Sequence, residues 1–240
     1  MTEESSSGTG AVAAAWGVHL FTSIGIVLGL LALLAVQRGQ PREALLWLLL
    51  ALLIDGIDGT LARAAKVQER LPRIDGAALD LIIDYLNYVF IPVLLIWHGR
   101  YLPDQLMLPL CAAILVSSLY VFARRDMKTD DGYFRGFPAL WNVVALYFFV
   151  TSPEPLVAAA AVTALVVMTF APVHVPHPFR ARDFGWLLPA LAIGWAVSSV
   201  LMLIAAISGP DANFAILSML SAGALLAIGL LRSVRGPRSA

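Results

Sequence analysis

Apolar runs close to the length of a membrane-crossing helix recur along nearly the whole chain, beginning near residues 13, 43, 75, 104, 136, 155, 183 and 212. About 20 residues of α-helix cross roughly 30 Å of hydrocarbon. Hydrocarbon leaves backbone groups no water to bond, so each run is driven to satisfy its own amides as a helix. The breaks carry turn chemistry, as at Gln37 to Pro41, Gly99 to Pro103, Asp126 to Gly136, Ser152 to Pro155, His174 to Arg182 and Ser208 to Asn213. With 60% hydrophobic and 13% charged residues, the composition lies far from that of a soluble domain. The expected fold is all-α, a polytopic integral membrane helical bundle of about eight transmembrane helices, the fifth being the shortest.

Eight spans put both termini on one side, and basic residues say which. Thirteen of the 16 lysines and arginines, among them Arg63, Lys66, Arg70, Arg73, Arg124, Arg125, Lys128, Arg135, Arg180, Arg182, Arg232, Arg235 and Arg238, fall on the side that holds the termini. Arg38, Arg42 and Arg100 fall on the other. By the positive-inside rule the richer side is cytoplasmic. Residues 1–12 read as a disordered N-terminal tail, 13–232 as a single membrane domain and 233–240 as a cytoplasmic tail. Glu3, Glu4 and the serines after them lack the basic start of a cleavable signal peptide. The single cysteine, Cys111, excludes a disulfide framework and a cysteine metal site. The zero net charge gives no indication of a nucleic-acid partner.

Charges inside spans cost several kcal/mol near the bilayer centre, so each requires a reason. Asp55 and Asp58 end the second span in IDGIDGTLAR, and Asp80 and Asp84 begin the third in DGAALDLIIDYLNYVF. Positions three or four apart share a helix face. A short basic loop joins the two spans, so an antiparallel hairpin brings all four acids to its cytoplasmic end. Four carboxylates repel one another, whereas one or two divalent cations keep them ionised and offset their burial. An oxygen-only ligand set favours Mg²⁺ or Mn²⁺ over Zn²⁺. Gly56 and Gly59 let a ligand approach the backbone. Arg63, one turn beyond Gly59, is placed to meet a diphosphate, although an arginine at a span end also serves as an interfacial anchor.

The run DGIDGTLAR, followed by Gly76, Asp80 and Asp84, resembles the CDP-alcohol phosphotransferase signature DGxxAR…GxxxDxxxD with its preceding aspartate. The resemblance implies transfer of a phosphatidyl or similar group from a CDP-linked donor to an alcohol, with release of CMP. It also implies two divalent metal ions, Mn²⁺ or Mg²⁺, held by Asp55, Asp58, Asp80 and Asp84, with Asp84 as the catalytic base facing the acceptor hydroxyl. Asp58, Gly59, Ala62, Arg63 and Gly76 match positions that bind CDP. Twelve residues separate Arg63 from Gly76, more than in most members. That longer spacing, together with GVHLFTSIG, LDLIIDYLNYVFIP and MKTDDGYFRGFPALWNVVALYFF, resembles the bacterial subgroup that makes phosphatidylcholine from CDP-diacylglycerol and choline. The resemblance further implies a homodimer among membrane lipids of the bacterial inner membrane, with its active site on the cytoplasmic side.

Choline is a quaternary ammonium and suits aromatic faces. Tyr85, Tyr88, Tyr133 and Trp141 are the candidates, with Phe134 beside them, although tyrosine and tryptophan at span ends also form the ordinary interfacial belt. Arg135 and Lys128 are placed for lipid phosphates or for cytoplasmic anchoring. Two alternatives remain at this point: the same chemistry with another acceptor such as serine, and a secondary transporter using intramembrane carboxylates. His19 reads as a hydrogen-bonded structural histidine, and VHVPHP, with His174 and His177, as a rigid loop.

Overall fold

The structure is a computed structural model describing residues 3–181, 183–205 and 212–236. Arg182, the start of the Ser208 to Asn213 break, Arg238 and the end of the expected C-terminal tail lie outside the described residues. Helices dominate: α1 (Glu3–Gln37), α2 (Pro41–Ala64), the one-turn α3 (Val67–Arg70), α4 (Gly76–Tyr85), α5 (Ile91–His98), α6 (Asp104–Ala123), α7 (Trp141–Thr151), α8 (Pro155–Phe170), α9 (Leu187–Ala205) and α10 (Ala212–Arg235). A π-turn, Leu86–Phe90, joins α4 to α5, so Gly76–His98 is one continuous span of 23 residues. Among the described residues, six helical segments are long and apolar enough to cross a bilayer, and α7 and α8 are shorter apolar helices of 11 and 16 residues. This is an all-α polytopic membrane protein. The chain packs as two compact units, residues 1–95 and 96–240.

In the first unit α1 turns back into α2 through Gly39, whose φ of +68° a glycine adopts without strain. Gly25 and Gly29 on α1 let the third span come close. A Cβ at Gly25 would lie 2.8 Å from Ile83 Cγ2, and one at Gly29 would lie 2.5 Å from Asn87 Oδ1. This is the small-residue spacing that brings membrane helices into backbone contact. Asn87 confirms the approach by donating from Nδ2 to the Gly25 carbonyl at 2.9 Å. The link from α2 to α4 is held down by Arg70, which donates to the carbonyls of Ala65 and Ala11.

In the second unit Tyr147 of α7, Trp195 and Ser199 of α9 and Ser218 of α10 form one network, with both serines buried and Tyr147 and Trp195 half-buried. Trp195 donates to the Tyr147 hydroxyl at 3.0 Å, and Ser218 Oγ lies 2.9 Å from both Tyr147 and Ser199 hydroxyls. Such bonds join helices where hydrocarbon offers polar groups no other partner. Outside the spans, β1 (Tyr133–Arg135) pairs antiparallel with β2 (His174–Pro176). The VHVPHP segment is therefore a strand at its centre rather than only a loop, because β1 supplies its backbone partners across about 40 residues of sequence. The expected fifth span starts at Trp141 rather than near residue 136, since Gly136 and Ala139 take positive φ values of +83° and +57° that end regular structure ahead of it.

Candidate active site

The site lies wholly within the first unit. Asp55 and Asp58 project from the second half of α2, and Asp80 and Asp84 from successive turns of α4. Helix α4 begins where it does because Asp75 caps it, accepting from the amides of Ala77 and Ala78 at 3.0 and 3.1 Å. This cap fixes the register that points Asp80 and Asp84 at α2. Carboxylate oxygens of Asp55, Asp80 and Asp84 all lie within 4.8 Å of one another. Asp58 is the most buried of the four, at 5% exposure, and is held by hydrogen bonds from the Thr22 hydroxyl and the Gly59 amide.

All four aspartates line one cavity of about 10 Å³, together with Thr22, Gly25, Asn87 and Tyr88. That is the space of a single water-sized particle. No lysine, arginine or histidine lines it among the described residues. Tyr88 is buried and donates from its hydroxyl to Asp55 Oδ2 at 2.6 Å. Asn87 Oδ1 is enclosed and has no partner among the described residues. Hard oxygen donors converging on an ion-sized space without a protein cation among them fit a divalent ion such as Mg²⁺ or Mn²⁺.

Beside this cavity, and sharing Thr22, Asp58 and Asp80 with it, runs a groove of about 720 Å³. Every residue that the signature assigns to CDP, namely Asp58, Gly59, Ala62, Arg63 and Gly76, is in its wall. Among the described residues only Arg63, with Nη1 at 3.5 Å, comes near where a Cβ of Gly59 would stand, so the groove wall carries no side chain at Gly59. Lys66, Gln68, Pro72 and Asp75 of the extended α2–α4 link complete one side. Arg63 donates to Thr60 at 3.0 Å and stays at the surface.

The aromatic candidates belong to both units. Tyr85 and Tyr88 share the third span with Asp80 and Asp84. Tyr133 and Trp141 belong to the second unit and have no exposed surface. Tyr133 packs with Ala181, Leu188 and Ile228, and its hydroxyl reaches Asp183 at 3.2 Å. Burial and the Asp183 carboxylate push its phenol up to about 12. Trp141 packs edge-on against Phe137 and donates to Ser118 at 3.0 Å. Both serve as packing anchors in this structure. Phe134 stacks on His177, and Lys128 Nζ lies over the Phe134 ring, 5.1 Å from its centre. Sequence reasoning missed Thr22, Asn87 and the Tyr88 hydroxyl. The helical spacing of Asn87 and Tyr88 from Asp84 was the available signal, whereas Thr22 reaches the site only through tertiary packing.

Apolar helices carrying an acid cluster beside a ligand-sized groove define the class: an integral membrane enzyme. The chain belongs to the CDP-alcohol phosphatidyltransferase family, whose model matches residues 18–210. It is similar to phosphatidylcholine synthase of Pseudomonas aeruginosa, at 50% identity over 192 residues that cover 80% of this chain and 81% of that protein. The Bradyrhizobium diazoefficiens phosphatidylcholine synthase is 44% identical over 193 residues, covering 78% and 70% of the two chains. That of Borreliella burgdorferi is 38% identical over 169 residues, covering 70% and 72%. Membership in a family of enzymes sets the transporter alternative aside.

Proposed function

We propose that this chain transfers the phosphatidyl group of CDP-diacylglycerol to choline, giving phosphatidylcholine and CMP. The observation that carries the reading is the meeting of four carboxylates around an ion-sized cavity with a groove walled by all five signature positions. The similarity to phosphatidylcholine synthases supports choline as the acceptor over serine. Asp55, Asp58, Asp80 and Asp84 would hold Mg²⁺ or Mn²⁺. When bound, such ions neutralise the donor diphosphate and polarise the phosphorus under attack.

The remaining work falls to the chain itself. Gly59, Ala62 and Gly76 give the nucleotide close backbone contact, and Arg63 sets a guanidinium beside the departing CMP phosphate. Asp84 takes the proton of the choline hydroxyl as its oxygen forms the new bond to the phosphatidyl phosphorus and the bond to CMP breaks. Tyr85 and Tyr88 offer faces to the trimethylammonium group. The acyl chains stay in the bilayer while the nucleotide enters from the cytoplasmic side of the bacterial inner membrane, the side of both termini, and the enzyme acts as a homodimer. Incorporation of labelled choline into lipid by the purified protein, with CDP-diacylglycerol and Mn²⁺, tests the reading. Label in phosphatidylcholine that disappears on chelation is the expected result, and no label under any metal condition overturns it.

A further inference from the structure

Among the polar wall residues of the groove that the proposed mechanism leaves idle is a histidine of α1. His19 on α1 is 6% exposed, and its Nε2 is enclosed with no hydrogen-bond partner among the described residues. Folded proteins rarely leave such a group unsatisfied without a use for it. The imidazole lines the groove beside Gly76, where a Cβ would stand 3.1 Å from its Cε1. Glycine keeps that space clear on the ligand's side. Trp16 fixes the ring from the other side with an edge contact at 6.2 Å between centres.

Thr22, which bonds Asp58, lies almost one turn further along the same face of α1. The imidazole, Thr22 and two of the acids, Asp58 and Asp80, thus line the same groove. On the proposed function, the diphosphate sits at those acids. In a CDP-linked donor the group bonded to the diphosphate is the pentose, and the base lies further out.

We propose that His19 Nε2 hydrogen-bonds a hydroxyl of the donor's pentose and makes the site prefer ribose to 2′-deoxyribose. His19 is then a specificity-determining residue of the nucleotide groove. An imidazole nitrogen can donate to or accept from a sugar hydroxyl, and a 2′-deoxy ligand leaves it buried and unpaired.

The test is direct binding of CMP and 2′-deoxy-CMP to the detergent-purified full chain in Mn²⁺, by titration calorimetry, with His19→Phe and His19→Gln. Wild type is expected to bind CMP about five- to tenfold more tightly than 2′-deoxy-CMP, the effect of one hydrogen bond to a buried group. His19→Phe, which keeps a flat ring, should bring the ratio close to one by weakening CMP alone, and His19→Gln should restore part of it. Equal affinities in wild type, an unchanged ratio in His19→Phe, or equal loss of both ligands would each overturn the assignment. The inference rests on the proposed function, yet the two fail separately. Ribose preference lost in His19→Phe without any choline-dependent CMP release would sink the proposed function alone, and failure of wild type to bind either nucleotide would sink both.

Discussion

The 2.6 Å bond from the Tyr88 hydroxyl to Asp55 makes Tyr88→Phe a sharp perturbation, because it deletes one oxygen and keeps the ring. Tyr88 is 5% exposed, so no water replaces the lost donor without rearrangement. A hydrogen bond to a carboxylate contributes about 1.5–3 kcal/mol. Partners that orient ligating side chains cost about 10- to 100-fold in metal affinity or activity when removed, which is the same range in free energy. Tyr88→Phe should therefore raise the Mn²⁺ concentration for half-maximal CMP release about 10- to 100-fold. The KM for choline should stay within about twofold, since the aromatic face presented to the ammonium is intact. The same titration read as the rise of Tm with Mn²⁺ gives an answer independent of turnover. A variant with wild-type Mn²⁺ dependence in both readings would refute the positioning role of the hydroxyl, and a rise in choline KM alone would place the hydroxyl on the acceptor instead.

Asp84→Asn should lower kcat by about 10²- to 10⁴-fold, the usual contribution of a positioned base, while CMP binding survives; near-normal turnover would remove Asp84 from proton transfer. Gly29→Ala puts a methyl group where Asn87 Oδ1 stands and should cost about 1–3 kcal/mol of stability, read as a lowered Tm in detergent. An unchanged Tm would mean that the third span does not approach α1 so closely. Burial pushes the Asp131 carboxyl up, but hydrogen bonds from Thr129 and Arg232 outweigh it and hold Asp131 below its ordinary 3.8. A depressed carboxylate stabilises the fold above that ordinary value and loses the contribution as pH falls toward the lower folded value. Acid-induced loss of Tm below about pH 4 should accordingly be shallower in Asp131→Asn than in wild type. Identical acid profiles would show that the Asp131–Arg232 pair, with nitrogen and oxygen 2.7 Å apart, carries no such linkage.

The spans were legible because hydrocarbon leaves an apolar run of membrane-crossing length little choice but helix. The acid cluster was legible too, since spacings of three and four put each aspartate pair on one face and a short link folds the faces together. What escaped was set by packing across long sequence separations. Gly25 and Gly29 spell a close-approach spacing, but only the position of Ile83 and Asn87 reveals what approaches. The strand at His174–Pro176 exists because Tyr133–Arg135 lies beside it, and no local pattern announces that partner. Tyr133 and Trp141 read as interfacial or ligand-facing aromatics, yet burial with hydroxyl and indole groups satisfied by Asp183 and Ser118 makes them anchors of the second unit. The unpartnered Nε2 of His19 likewise became visible only once the groove around it was formed.

The most direct test of the central claim is CMP release from CDP-diacylglycerol by the purified enzyme, with choline, serine, glycerol 3-phosphate or no acceptor in parallel, each with Mn²⁺ and with chelator. The account predicts release with choline alone, abolished by chelation. Release driven by another acceptor would contradict the assignment of choline, and release that survives chelation would contradict the role given to Asp55, Asp58, Asp80 and Asp84.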